Sequence, residues 1–179
     1  MTKYIAFLRA INVGGHTVKM DLLRDIFESM EFANIETFIA SGNVIFKSKS
    51  KDVDALVNKI EKRLKESLGF EVATFLRSDL ELAAIADYRP FPKPQMDSAT
   101  ALNIAFLSKP LDVKAKKALL TLKSDIDDFH IHGCEVYWLC LKKQSESKFS
   151  NVVFEKTLGV KSTFRGINTV RKMVEKYVA

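Results

Sequence analysis

The order in which apolar periodicities follow one another limits the folds open to this chain more than any single motif. Residues 4–9 form a short apolar run of strand formers, followed by a glycine-containing loop, Asn12-Val-Gly-Gly15. From about residue 20 to residue 30, Leu22, Leu23, Ile26, Phe27 and Met30 recur at helical spacing. Two strand-like runs, 35–40 and 44–47, meet at Ser41-Gly42-Asn43, which is a hairpin signal. Ser50 is the expected cap of the next helix, whose stripe is Val53, Leu56, Val57, Ile60, Leu64 and Leu68 and which Gly69 stops. Residues 71–76 read as a strand, which completes the order β-α-β-β-α-β.

The same order then recurs. A helix-like stretch over 79–86 leads into Tyr88-Arg-Pro-Phe-Pro-Lys-Pro94, where three prolines in five residues stiffen the chain. Beyond it come a strand over 101–107, a helix over 112–122, and a hairpin of 126–132 and 135–141 turning near Gly133. Ser150 caps a short helix ended by Gly159, residues 160–164 form the last strand, and a terminal helix covers about 169–177. Each βαββαβ unit has the split-βαβ pattern, with helices on one face of an antiparallel sheet. The expectation is an α+β protein of tandem duplicated ferredoxin-like units with antiparallel sheets and an extra C-terminal helix. Residues 1–87 form the first unit, 88–100 the Pro-rich connector, and 101–179 the second unit with that helix. The second face of each sheet then needs water, a partner or the other half.

Composition narrows the class. Of 179 residues, 47% are hydrophobic and 28% charged, which excludes a disordered chain, and seven glycines with four prolines exclude a collagen-like one. No apolar run approaches the ~18 residues of a membrane span, and the N-terminal apolar stretch meets Arg9 too soon for a signal peptide. Cys134 and Cys140 are too few for a disulfide framework, and on one strand they would stand roughly 20 Å apart. A cytoplasmic location is therefore expected, with both thiols reduced. The net charge of +6 comes from residues 142–179, which hold nine Lys/Arg against three Asp/Glu. Such a segment attracts polyanions, although a solvated lysine-rich surface is the simpler reading.

Three stretches together are distinctive: Leu8-Arg-Ala-Ile-Asn-Val-Gly-Gly15, Met20-x-x-Leu23-Arg24 and Thr37-Phe-Ile-Ala-Ser-Gly-Asn-Val-Ile-Phe46. They resemble the bacterial family catalogued as domain of unknown function 1697, and Thr163-Phe-Arg-Gly-Ile-Asn-Thr-Val170 is similar to its C-terminal motif. The chain departs from the usual family pattern at Ala10, where glycine is common, and at Gly166-Ile167, where Asn-Trp is common. The resemblance implies a duplicated ferredoxin-like fold and assigns no activity.

The first loop is the strongest chemical candidate. Glycines let main-chain N–H groups approach an anion, and a helix begins within five residues. Arg9 supplies a fork for phosphate or carboxylate, Lys19 a second cation, and Asn12, Gly14 and Gly15 the polar loop between them. The sequence is neither a P-loop nor a dinucleotide fingerprint, and a tight turn with Arg9 paired internally explains the same residues. Ser41 and Asn43 join the candidate only if their hairpin lies beside this loop. The end of the first strand and the central hairpin are expected toward opposite ends of neighbouring strands. Arg165 and Asn168 precede the terminal helix, Asn168 as its N-cap and Arg165 as a further cation for an anion site.

Other chemistry is thinner. His130-x-His132-x-Cys134 puts two histidines on one strand face, but zinc wants four ligands, so no metal and no cofactor are expected. No nucleophile–base pair identifies a reaction, so the sequence assigns no enzyme class. The leading expectation is a binding protein for a small phosphate- or carboxylate-bearing ligand at Arg9–Gly15. The alternatives are a nucleic-acid-binding module using the basic C-terminal segment, without a matching RNA-recognition signature, and a homodimeric interaction scaffold.

Overall fold

A computed structural model describes residues 1–12 and 15–178. The first half runs β1 (Thr2–Leu8), α1 (Met20–Glu28), β2 (Ala33–Thr37), β3 (Asn43–Ser48), α2 (Val53–Leu68) and β4 (Thr74–Ser78). Two helices follow, α3 (Asp79–Asp87) and α4 (Lys93–Ser98). The second half runs β5 (Ala101–Phe106), α5 (Val113–Leu120), β6 (Asp127–His132), β7 (Glu135–Cys140), α6 (Asn151–Leu158), β8 (Thr163–Gly166) and α7 (Ile167–Tyr177). The chain divides into two compact units, residues 1–85 with the end of α7 from Met173, and residues 86–172.

Each half carries one four-stranded sheet, in the orders β2-β3-β1-β4 and β6-β7-β5-β8, with every neighbouring pair antiparallel. The fold is thus α+β with two βαββαβ halves and a C-terminal helix, as the order of periodicities indicates. The duplication reaches single residues. Ile5 pairs with Arg77 in the first sheet and Ile104 with Arg165 in the second. Phe7 faces Asn43, and Phe106 faces Glu135. All four of these polar side chains are buried, so buried polar positions recur at matching register in both sheets.

Local chemistry sets the helix ends. Asp52, Asp112 and Ser150 accept from the main-chain N–H three residues on, capping α2, α5 and α6. Gly69 (φ +80°) and Gly159 (φ +70°) close α2 and α6 in the left-handed region. The expected cap Ser50 is replaced by Asp52, because the Ser50 hydroxyl accepts from the Asp52 N–H and shapes the approach instead. The last strand starts at Thr163 rather than residue 160. Ser162 is tied back to α6 through Glu155 Oε2 and Asn151 Oδ1, which holds that segment off the sheet.

In the first unit Tyr4, Ala6, Leu8, Val44, Phe46 and Leu76 form one sheet face, packed with Leu23, Phe27, Leu56, Ile60 and Leu64. On the alternate strand positions Ile5, Phe7, Ile45 and Phe75 are buried too, so the inner strands are covered on both faces, while Glu36 on the edge strand β2 is exposed. The end of α7 packs on the same unit, where Lys3 Nζ donates to the Tyr177 carbonyl and the Phe38 and Tyr177 rings meet edge to face. In the second unit Ala105, Val136, Trp138 and Cys140 gather with Leu119, Phe149, Phe154 and Leu158. Asp127 is buried there, accepting from Trp138 Nε1 at 2.8 Å, Ser147 Oγ at 2.7 Å and Ser124 Oγ at 3.2 Å. Among the described residues no helix is long and apolar enough to cross a membrane.

Candidate functional site

Antiparallel pairing of β1 with β3 sets the end of one strand beside the start of the other, and Phe7 lies opposite Asn43. The expectation that the first loop and the central hairpin lie at opposite ends is therefore corrected: they converge. Two hydrogen bonds join them, and a third braces the first loop. Leu8 N–H donates to the Gly42 carbonyl at 2.9 Å. Asn12 Nδ2 donates to the Ala40 carbonyl at 2.6 Å, and Asn12 Oδ1 accepts from Val18 N–H at 2.7 Å. One amide side chain thus clasps the hairpin and the far end of its own loop. The approach is close enough that a Cβ on Gly42 (φ +82°) would stand 2.6 Å from Ile11 Cγ2.

The candidate residues divide between structural and accessible roles. Arg9 is half-buried, with its main-chain N–H donating to the Ala73 carbonyl at 2.9 Å. Gly15 (φ +86°) and Lys19 are exposed. Gly14 lies outside the described residues. Asn43 is buried and builds its turn, donating to the Phe38 carbonyl and to Ser41 Oγ, both at 2.9 Å. Ser41 is exposed beside it. Neither 9–19 nor 38–43 contains an Asp or Glu.

Left-handed backbone occurs in both segments, as it does outside them at Glu31 (φ +62°) and Asn34 (φ +53°). Ala10 has φ +52° and Ile39 φ +50°, and both are exposed. Left-handed geometry costs a residue with a Cβ roughly 1–2 kcal/mol, and a β-branched residue is an outlier there. Ala10 stands where the resemblance expects glycine, and its φ supplies the reason glycine is suited to that place. Sequence reading overlooked this strain, the Asn12 clasp, and His16 stacked on Phe70 with ring centres 3.8 Å apart.

Arg165 and Asn168 lie in the second unit. Arg165 is buried on β8, donating from Nη1 to Thr163 Oγ1 at 2.8 Å and to the Phe164 carbonyl at 2.9 Å. Burial lowers its pKa to about 10. Asn168 is not an N-cap, because α7 starts at Ile167 and places it inside the first turn, where it is exposed. Arg165 does not line the cavity that Asn168 lines. The histidines of 130–134 are engaged with an aromatic side chain: Tyr88 Oη lies 2.7 Å from His130 Nε2, and the Tyr88 ring stacks on His132 at 3.8 Å. Burial, then Glu135 and Tyr88, raise the pKa of the neighbouring Tyr137 hydroxyl. Among the described residues no three His, Cys, Asp or Glu side chains gather as a metal site would require.

The duplicated sheets and the clasped glycine loop define a class before they define an activity. The chain belongs to the family described as "Protein of unknown function (DUF1697)", whose model matches residues 1–137. It is similar to a solved structure, that of the conserved bacterial protein SP0830 from Streptococcus pneumoniae, with 25% identity and a TM-score of 0.77 over 98% of each chain. The family match ends before the 163–170 segment. A comparison with curated proteins finds no match.

Proposed function

We propose that this protein binds a small phosphate- or carboxylate-bearing ligand on the rim offered by residues 9–12, 15–19 and 38–43. The convergence of the two loops, fastened by Asn12, carries the reading. The proposed surface draws on the strand-end Arg9, the exposed Lys19 and Gly15 and the Ser41 hydroxyl, and neither segment contains a carboxylate. Arg9 supplies the fork that matches a planar or tetrahedral anion, and Lys19 neutralises further charge. Asn12 and Asn43 act as positioning residues, since their amides hold the loops. Strain at Ala10 and Ile39 supports the reading, because left-handed residues with side chains persist where surrounding structure holds a particular geometry.

Thermal unfolding in the presence of inorganic phosphate, nucleoside phosphates and small carboxylates tests this. A ligand at 100 times its Kd adds about 2.7 kcal/mol to the folded state, which for a chain of this size raises Tm by roughly 5–10 °C. The expected result is such a rise with one anion class, lost in Lys19→Ala and in Arg9→Ala. Lys19 is exposed, so its removal leaves the fold in place. No rise with any anion, or a rise that both variants keep, overturns the proposal.

A further inference from the structure

The helix layer of the second unit carries apolar side chains where a solvated helix carries polar ones. Ala115 and Leu119 of α5 and Phe154 and Leu158 of α6 share one core with Val136 and Trp138, so both helices cover the same sheet face. At about 100° per residue, Val113 and Leu120 lie on the side of α5 opposite this core stripe, roughly 10 Å apart along the axis. Val152 and Lys156, one turn apart, hold the corresponding side of α6. Val113, Leu120 and Val152 are 69%, 65% and 74% exposed. They do not line the neighbouring cavity, whose walls include Leu122, Phe149 and Val153. Lys116 and Lys117 flank the Val113–Leu120 stripe, and both are exposed, as is Lys156. Residues 113–124 contain four lysines and no carboxylate, and Glu155 of α6 accepts from Ser162 N–H. The counterpart helix α1 has the exposed Asp21, Asp25 and Glu28 on its outward side, so the duplicated architecture does not itself demand an apolar, basic layer.

We infer that the outward side of α5 and α6 docks on an anionic lipid surface, Val113, Leu120 and Val152 entering the headgroup region while Lys116, Lys117 and Lys156 meet lipid phosphates. The lysines set the sign of the partner. Apolar side chains that protrude from two adjacent helices, instead of lining a cleft, suit a deformable interface that receives them. This surface lies in the second unit and does not depend on the rim of the first.

The test is flotation of the full chain with vesicles of phosphatidylcholine, with and without an equal share of phosphatidylglycerol. Association is expected with the anionic vesicles, at least about tenfold weaker with phosphatidylcholine alone, and reduced by salt. Lys117→Ala weakens it about fivefold, one lysine's share of the attraction, and Leu120→Ser weakens it by at least as much through lost apolar burial. Both positions are exposed, so the variants keep the fold. Leu80→Ser, at an equally exposed leucine of α3, and Lys49→Ala on the first unit leave binding unchanged. No association with anionic vesicles, equal association with both lipids, or binding that Leu120→Ser leaves intact overturns the inference. Binding of soluble poly-glutamate through Lys117 without binding of vesicles overturns it in favour of an acidic protein partner.

Discussion

Replacing Asn12 with alanine tests the joint on which the rim depends. The substitution removes two hydrogen bonds, Nδ2 to the Ala40 carbonyl at 2.6 Å and Oδ1 from Val18 N–H at 2.7 Å. Ala40 is exposed and its carbonyl regains water, whereas the Val18 side chain is buried and its N–H is partly shielded. A neutral hydrogen bond is worth about 0.5–1.5 kcal/mol net, so the pair predicts a loss of roughly 1–3 kcal/mol. Asn12→Asp separates the two halves of the clasp. It keeps the acceptor for Val18 and sets a carboxylate oxygen against the Ala40 carbonyl, so the variant protects the Val18 amide while freeing the hairpin. Urea unfolding gives the total, and amide exchange at Val18 gives its local share. If Asn12→Ala costs less than ~0.5 kcal/mol, the ordinary range for surface changes, and Val18 exchange is unaltered, the clasp does not hold the loops.

Ile39→Asn relieves left-handed strain at an exposed position (φ +50°) and stabilises the protein by roughly 1 kcal/mol in urea unfolding. Gly42→Ala combines φ +82° with a Cβ 2.6 Å from Ile11 Cγ2 and costs roughly 2–4 kcal/mol. At Gly69 a Cβ meets nothing within 4 Å, so Gly69→Ala costs only ~1 kcal/mol, and equal losses at the two sites would remove the close-approach argument. Asp127→Ala strips three hydrogen bonds from a buried carboxylate and destabilises the second unit by about 3–5 kcal/mol, followed through the fluorescence of the lone tryptophan, Trp138. Burial raises the Cys140 thiol pKa, so thiolate is scarce at mildly alkaline pH; a thiol reagent labels Cys140 only on unfolding, and rapid labelling of the folded protein refutes the assignment.

Element order was legible because it is written in apolar spacing, which the sheet and helix periods read directly. Val53, Leu56, Ile60 and Leu64 predict α2, and Gly69 and Gly159 mark helix ends with left-handed caps as expected. Boundaries shifted where a polar side chain competes for the main chain: Ser50 against Asp52, and Ser162 held on α6. Site chemistry was less legible, because Asn12, Asn43 and Arg165 are polar types that bind ligands or brace turns equally well. Partners distant in sequence decide between these roles, as Ala40 does for Asn12. The convergence of the loops was misread by placing the hairpin at the far end of its strand, although antiparallel β1–β3 pairing settles it.

The most direct measurement of the proposed function maps inorganic phosphate onto the 15N-labelled protein residue by residue. Saturable shifts at Gly15, Lys19 and Ser41 at one common affinity, lost in Lys19→Ala, are the predicted result. Shifts confined to one loop, or weak non-saturating changes spread over the basic 142–179 segment, contradict it.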